Sequence, residues 1–220
     1  MSSTSGKLPF YGVIYKRGER VGVYGESEET DRDAIDRTAP VLLDLTEHTA
    51  KPKSSEVGEI SRSLVSPSSL RCIDMETLAQ ALSRGCTICG GICRGERKNE
   101  SWESQQLWCI DIDNDAATRE RGYDPLPYED AVCRAFQLGL PLVISYLTFS
   151  GNEDPTCPPE EQRYRLIFRR DTETRDKSIA AGYGAALLAA YPEADQSTVQ
   201  PNRLFYGTDK EVVVWNRPMM

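Results

Sequence analysis

The stretch QLWCIDID at residues 106–113 decides the fold, because it joins an apolar, strand-forming run to two acids at its end. Side chains alternate between the two faces of a strand. Asp111 and Asp113 therefore share one face with Cys109, whereas Trp108 belongs to the opposite face. The sequence predicts a half-apolar strand that presents carboxylates at its C-terminal end.

Further strands and helices are predicted on the C-terminal side of this strand. They comprise a helix at 127–139, strands at 142–150 and 163–170, a helix at 171–192, and short strands at 203–207 and 211–216. From 106 to 207 the order is β-α-β-β-α-β, which is the ferredoxin-like, RRM-like split βαβ arrangement of the α+β class. In this arrangement the first and third strands are neighbours and both helices cover one face, so the other face is left for a site or another domain.

The first 70 residues are polar and weakly patterned, and we predict from them an additional N-terminal α/β portion. GVIYKRGERVGVYG at 12–25 predicts a hairpin that turns near Arg17–Glu19. The segment 51–70 is rich in Ser, Lys and Pro and predicts a polar linker. We therefore divide the chain into an N-terminal segment, 1–70, and a second domain, 71–220.

Composition limits the possible chemistry. The chain has 220 residues, 39% hydrophobic residues and a formal net charge of −8, which is typical of a globular protein and argues against coating duplex DNA by charge alone. No apolar run approaches the roughly 20 residues that span a bilayer, and no signal peptide is recognisable, so we expect a cytoplasmic protein without a membrane partner. His48 is the single histidine, which disfavours Ser-His-Asp catalysis and His-rich metal sites.

Polar side chains should converge on the face away from the helices. Arg163 and Arg165 alternate along the third predicted strand, and Tyr146, Thr148 and Ser150 alternate along the second. Two acids at alternate strand positions repel each other unless a cation lies between them, and Mg²⁺ or Mn²⁺ prefers such oxygen ligands. Arginines opposite them would bind phosphate, and Tyr146 would be the side chain available for base stacking.

Four stretches resemble the archaeo-eukaryotic primase superfamily, especially the primase-polymerase domains of phages, plasmids and integrated mobile elements: LWCIDIDND, YLTFSGNED, RYRLIFRRD and YPEADQSTVQPNRLFYG. The resemblance covers about residues 80–216. It implies an RRM-like catalytic core in the second domain. It also implies that Asp111, Asp113 and Asp195 are the catalytic carboxylates and the Mg²⁺ or Mn²⁺ ligands, while Thr148 to Asn152 forms the second motif.

The activity that the resemblance implies is primer synthesis by a DNA primase or primase-polymerase. Such an enzyme joins nucleoside triphosphates on a single-stranded DNA template by two-metal nucleotidyl transfer. The expected setting is replication of a phage or mobile element in the cytoplasm of a bacterial host, with a separate replicative helicase as partner. The implied nucleotide-binding residues are Ser150, Asn152, Arg163, Arg165 and Arg203.

The second motif departs from the family pattern, because Ser150 is followed by Gly151 and Asn152 and the usual histidine is missing. Asn152 or Arg165 would have to replace it. This departure motivates an alternative, a catalytically weakened primase-like module that binds nucleic acid or positions a replication partner. A remote alternative is a metal-dependent sugar transferase, which also uses Asp-x-Asp but requires parallel βα units before the acids.

The cluster CTICGGIC gives Cys86, Cys89 and Cys93 the spacing C-x2-C-x3-C. A zinc site would need a fourth ligand, such as Cys72 or Cys109. Buried free thiols are the competing interpretation.

Overall fold

The computed structural model describes residues 11–24, 38–154 and 156–216. These residues form a mixed α+β structure. Its strands are β1 (Tyr11–Lys16), β2 (Glu19–Tyr24), β3 (Thr38–Asp44), β4 (Leu70–Asp74), β5 (Thr87–Cys89), β6 (Gly91–Cys93), β7 (Trp102–Ile112), β8 (Leu142–Leu147), β9 (Tyr164–Thr174), β10 (Leu204–Phe205) and β11 (Val212–Asn216). Its α-helices are α1 (Val57–Leu64), α2 (Met75–Ser83), α3 (Ala116–Glu120), α4 (Tyr128–Gln137) and α5 (Lys177–Ala190). Within the described residues, no helix is long and apolar enough to cross a membrane.

The strands form two antiparallel sheets. The large sheet has seven strands in the order β2-β1-β11-β8-β9-β7-β6, and the small sheet has four in the order β10-β5-β3-β4. β9 pairs antiparallel with both β7 and β8, so β7 and β8 run parallel on either side of it and are connected through α3 and α4. The prediction that the first and third strands are neighbours is confirmed.

The fourth predicted strand lies elsewhere. Of residues 203–207 only Leu204–Phe205 is a strand, and it pairs with β5 in the small sheet. β6 occupies the free side of β7 instead. The described residues therefore do not complete a four-stranded ferredoxin-like order with this segment.

The described residues before position 70 are part of these same sheets. The predicted hairpin is confirmed as β1 and β2, with its turn at Arg17 and Gly18, and β1 pairs with β11 near the other end of the chain. β3 pairs with β4 and β5. The segment predicted as a polar linker contains α1, whose Ile60 and Leu64 are buried.

Both faces of the large sheet are covered. On one face Trp108 packs in a core with Val132 of α4 and Leu187 of α5, as the alternation predicts. On the other face Cys109 packs with Val41 of β3. This second layer also contributes residues of α2, namely Met75, Leu78, Ala79, Ala81 and Leu82.

The second layer corrects one expectation. Tyr146 is 1% exposed, and its hydroxyl donates a hydrogen bond of 3.0 Å to the Tyr206 carbonyl oxygen. The prediction that Tyr146 is available for base stacking is therefore wrong, because the small sheet and α2 bury most of this face. A cavity opens on this face near the C-terminal end of β7, where the acids lie.

Candidate functional site

A cavity of about 440 Å³ lies at the C-terminal end of β7. Its lining includes five of the predicted site residues: Asp111, Asp113, Ser150, Arg165 and Arg203. They come from four separate parts of the chain, and the antiparallel pairing of β9 with β7 and with β8 brings the first three parts together. The cavity therefore combines the residues of the first and second motifs with two arginines.

Asp111 and Arg165 form a buried ion pair between the neighbouring strands β7 and β9. They lie directly opposite each other in the register of β7 and β9. The Arg165 Nε donates to Asp111 Oδ1 at 3.1 Å and its Nη2 donates to Oδ2 at 3.2 Å, with side-chain exposures of 11% and 7%. The Arg165 Nη1 donates to the carbonyl oxygen of Tyr206. Burial alone would lower the pKa of Arg165, but the adjacent Asp111 carboxylate raises it above the usual value.

Asp113 has no hydrogen-bond or ion-pair partner among the described residues. Burial, and then the negative charge of Asp111, raise the pKa of Asp113 above its usual value. The next residue, Asn114, has a φ of 50° and is 1% exposed. Its side-chain amide nitrogen donates to the carbonyl oxygens of Leu126, Pro159 and Gln162. These hydrogen bonds fix the backbone next to Asp113, just after the end of β7.

Asp195 adjoins the acid pair through its backbone. Its N–H donates to the Asp111 carbonyl oxygen at 3.0 Å. Its carboxylate accepts from the Ser197 N–H at 2.9 Å, capping the 3-10 helix Gln196–Val199, and pairs with Arg203 at 2.8 Å. Burial would raise the pKa of Asp195, but the Ser197 hydrogen bonds and the Arg203 charge lower it below the usual value. The Asp195 carboxylate is therefore already engaged, and Asp195 is not among the residues that line the cavity.

The second motif is divided between two places. Thr148, Phe149 and Ser150 line the main cavity. Asn152 lines a separate cavity beside α4 and donates from its side chain to Glu161 Oε2 at 2.6 Å. Arg163 is not among the residues that line the main cavity. Asn152 is not brought to the acid pair in the way that the sequence analysis expected, whereas the positive charge of Arg163 acts on Asp113 and lowers its pKa against the effect of burial.

The described residues contain no group of three or more His, Cys, Asp or Glu side chains arranged to hold a metal ion. The three clustered cysteines pack into different cores, Cys86 under α2 and the small sheet, and Cys89 and Cys93 on the helix side. Burial raises the pKa of Cys86 to about 11. The Cys89 thiol donates to the carbonyl oxygens of Gly91 and Pro201, each at 3.3 Å. All three are free, buried thiols.

Several lining residues were not anticipated from the sequence. They are Lys51, Val57, Arg97, Gln200, Asn202, Leu204 and Tyr206. Arg97 connects two walls, since its Nη2 donates to Ser61 Oγ at 3.0 Å and its Nη1 donates to the Asn202 carbonyl oxygen. The run QPNRLFYG that follows Asp195 was the only available signal, because residues 51–61 gave no indication that they belong to the site.

Comparisons with protein families, with curated proteins and with solved structures find no match to this chain. Its function is therefore inferred from the geometry of the cavity.

Proposed function

We propose that this chain is a primase-like nucleotidyltransferase that joins nucleoside triphosphates on a single-stranded DNA template. The supporting observation is that one cavity collects Asp111 and Asp113, Ser150, and the arginines Arg165 and Arg203. These residues belong to separate stretches that resemble the primase-polymerase motifs. The proposed setting is replication of a phage or mobile element in a bacterial cytoplasm, together with a separate helicase.

The cavity has the charges that a nucleotide needs. Lys51, Arg97 and Arg203 line the cavity together with the acid pair. Guanidinium and ammonium groups bind phosphate oxygens by charge-assisted hydrogen bonds. The cavity is thus suited to an anion that carries a divalent cation, as a triphosphate does.

The donor chemistry also fits Mg²⁺ or Mn²⁺, because both ions prefer carboxylate oxygens. Asp113 has a carboxylate without a partner among the described residues, and Asp111 lies two positions before it on the same strand face. These two residues would hold the ion, which would neutralise phosphate charge and activate the attacking hydroxyl. Asp195 would join them as a ligand only if its carboxylate gave up the ion pair with Arg203.

The test is primer synthesis or extension on single-stranded DNA with Mg²⁺ or Mn²⁺ and labelled nucleotides. We expect Asp113→Asn to abolish incorporation. Asp124→Asn is the matched control, because this residue is exposed and is not part of the cavity lining. Incorporation that survives both Asp111→Asn and Asp113→Asn would refute the proposed mechanism.

A second function, a catalytically weakened primase-like binding module, is favoured by two observations. Two of the three proposed metal ligands, Asp111 and Asp195, are already paired with arginines. None of the residues that line the cavity is a histidine. This hypothesis predicts binding of single-stranded DNA that weakens steeply with salt, and no incorporation. Turnover at ordinary enzyme rates would exclude it.

A sugar transferase is less well supported. Every described strand that precedes the acid pair has antiparallel partners only. These strands do not provide the parallel βα units that this class would require. Release of a nucleoside diphosphate from a sugar nucleotide would revive the hypothesis.

A further inference from the structure

A buried lysine lies beneath the turn that carries Ser150. Lys210 is 8% exposed and lies between β10 of the small sheet and β11 of the large sheet. Its ammonium donates to the carbonyl oxygens of Thr148 at 2.8 Å and Phe149 at 3.1 Å, and also to that of Gly151. An ammonium has three N–H donors, so three carbonyls satisfy it completely.

The turn from Thr148 to Gly151 directs these carbonyls toward one point. The Gly151 N–H donates to the Thr148 carbonyl oxygen at 3.0 Å, and the Thr148 N–H donates to that of Arg163 at 2.8 Å. A Cβ on Gly151 would lie 2.4 Å from the Arg163 carbonyl oxygen, so this position requires glycine. Converging carbonyl dipoles repel one another unless a cation lies between them. The turn therefore needs the positive charge that Lys210 supplies.

The partners of Lys210 among the described residues are carbonyl oxygens rather than carboxylates. In the described part of the chain no Asp or Glu forms an ion pair with it, and the charged side chains that act on its pKa are Asp209, Glu153 and Lys16. Burial lowers the pKa of Lys210, and the first two of these residues oppose that effect. The carbonyl oxygens are thus its direct partners, and the energy of this buried charge depends on the shape of the turn.

We propose that Lys210 is a positioning residue whose ammonium acts as a built-in cation for the 148–151 turn and thereby holds Ser150 at the cavity wall. Thr148 and Ser150 both line the cavity, and their hydroxyl oxygens are 3.3 Å apart. Lys210 itself does not line the cavity. Its effect on any ligand is therefore indirect, through the turn. The part of this inference that concerns nucleotides rests on the proposed function, whereas the part that concerns the turn does not.

The first experiment measures amide hydrogen exchange of the full chain over residues 149–152. Lys210→Met keeps the length of the side chain and removes its charge and its donors. We expect the Gly151 and Asn152 amides to exchange about tenfold faster or more, because hydrogen bonds to a charged group are lost there. Lys16→Met is the matched control, since this exposed lysine pairs with Glu153 beside the same turn but does not contact its carbonyls. Unchanged exchange in Lys210→Met, or equal acceleration throughout the sheet, would overturn the inference.

A second experiment uses chemical rescue of Lys210→Ala. Propylammonium replaces the atoms that this substitution removes, whereas tetramethylammonium carries the charge without N–H donors. We expect propylammonium alone to restore slow exchange in the turn. Equal rescue by both cations, or by neither, would contradict a hydrogen-bonded cation at this position.

Wild-type protein provides a measurement that does not depend on folding of the variants. The Lys210 ammonium hydrogens should exchange slowly enough to be observed by NMR, and rapid exchange would overturn the inference. If the wild-type enzyme incorporates nucleotides, Lys210→Met should raise the nucleotide KM more than it lowers kcat. If it does not, the proposed function fails, but hydrogen exchange still decides the role of Lys210.

Discussion

Replacing Arg165 with methionine tests the electrostatics of the candidate site. The substitution removes both hydrogen bonds to Asp111, a residue that is 5% exposed, and leaves its carboxylate beside Asp113 without that partner. Breaking a buried ion pair by removing one partner costs about 3–5 kcal/mol. For a chain of this size about 1 kcal/mol corresponds to roughly 2–4 °C. We therefore expect Arg165→Met to lower Tm by roughly 6–20 °C, measured by thermal melting in the presence of a chelator.

The loss of stability caused by Arg165→Met should depend on the charge of Asp111. In an Asp111→Asn background a neutral amide replaces the buried carboxylate, so Arg165→Met should be less destabilising by about 1–3 kcal/mol. The matched control is Arg119→Met, which breaks an ion pair with Glu160 that is about half exposed. That control should cost about 1 kcal/mol or less. Additive effects of the two substitutions at Asp111 and Arg165 would refute the reasoning.

The same variant connects stability with metal binding. Without Arg165 the Asp111 and Asp113 carboxylates lack their internal cation, so Mn²⁺ should raise the Tm of Arg165→Met more than that of the wild type. The shift follows the logarithm of the ratio of free ion to Kd, so a titration yields the affinity. An equal shift in both proteins would show that the ion does not bind at these carboxylates.

Three further predictions concern individual residues. Lys51→Ala should raise the nucleotide KM about tenfold because it removes a charged phosphate donor, whereas Lys53→Ala, which is outside the cavity lining, should leave steady-state kinetics unchanged. Burial raises the pKa of Asp113, so the folded state binds the carboxyl proton more tightly than the unfolded state and loses stability as pH rises through that pKa. Asp113→Asn should therefore raise Tm at pH 7 in the presence of a chelator but not in acid. Thermal melts at both pH values would show this. Asn114→Ala removes four hydrogen bonds of 2.8–3.0 Å and should cost about 3 kcal/mol in urea unfolding, and a cost below about 1 kcal/mol would contradict this role.

The alternation of side chains along β7 and β9 was sufficient to predict the centre of the site. Asp111 and Arg165 were placed on one face from period-two patterning, and the register confirms that they are opposite each other. This part is predictable because the local alternation of an extended chain determines on which face of the strand each side chain lies. The same reasoning predicted the polar residues that follow β8, and Ser150 indeed lines the same cavity.

The remainder depends on contacts between residues that are distant in sequence. The helix predicted at 171–192 begins only at Lys177, because β9 continues to Thr174, which pairs with Gln105, and because Asp176 caps the helix. Residues 171–174 are polar and mostly exposed, so nothing local to them indicates a strand. Pairing with a neighbouring strand overrides local propensity here. The small sheet was missed for the same reason, since its strands have only two to seven residues and depend on each other.

The contribution of residues before 70 to the cavity was also invisible in the sequence. Lys51 and Val57 lie in a stretch whose Ser, Lys and Pro content suggests a linker, yet Ile60 and Leu64 of α1 are buried. The helix is only eight residues long, and its apolar stripe is too short to stand out from a polar background. Arg97 fixes α1 to the turn at Pro201 and Asn202, and that contact exists only after folding.

Internal partners already engage several of the charged groups around the cavity. Asp111 is neutralised by Arg165, Asp195 by Arg203, and the carbonyls of the Ser150 turn by Lys210. A ligand that binds here must therefore replace existing interactions rather than fill vacant ones. Asp113 is the exception, because its pKa is raised and its carboxylate has no hydrogen-bond or ion-pair partner within the described residues. The two proposed functions then differ in one free energy. It is the free energy of replacing Arg165, as the partner of Asp111, by a divalent ion that binds together with a phosphate. If the exchange is favourable the cavity can support nucleotidyl transfer, and if it is unfavourable the chain binds nucleic acid without joining nucleotides.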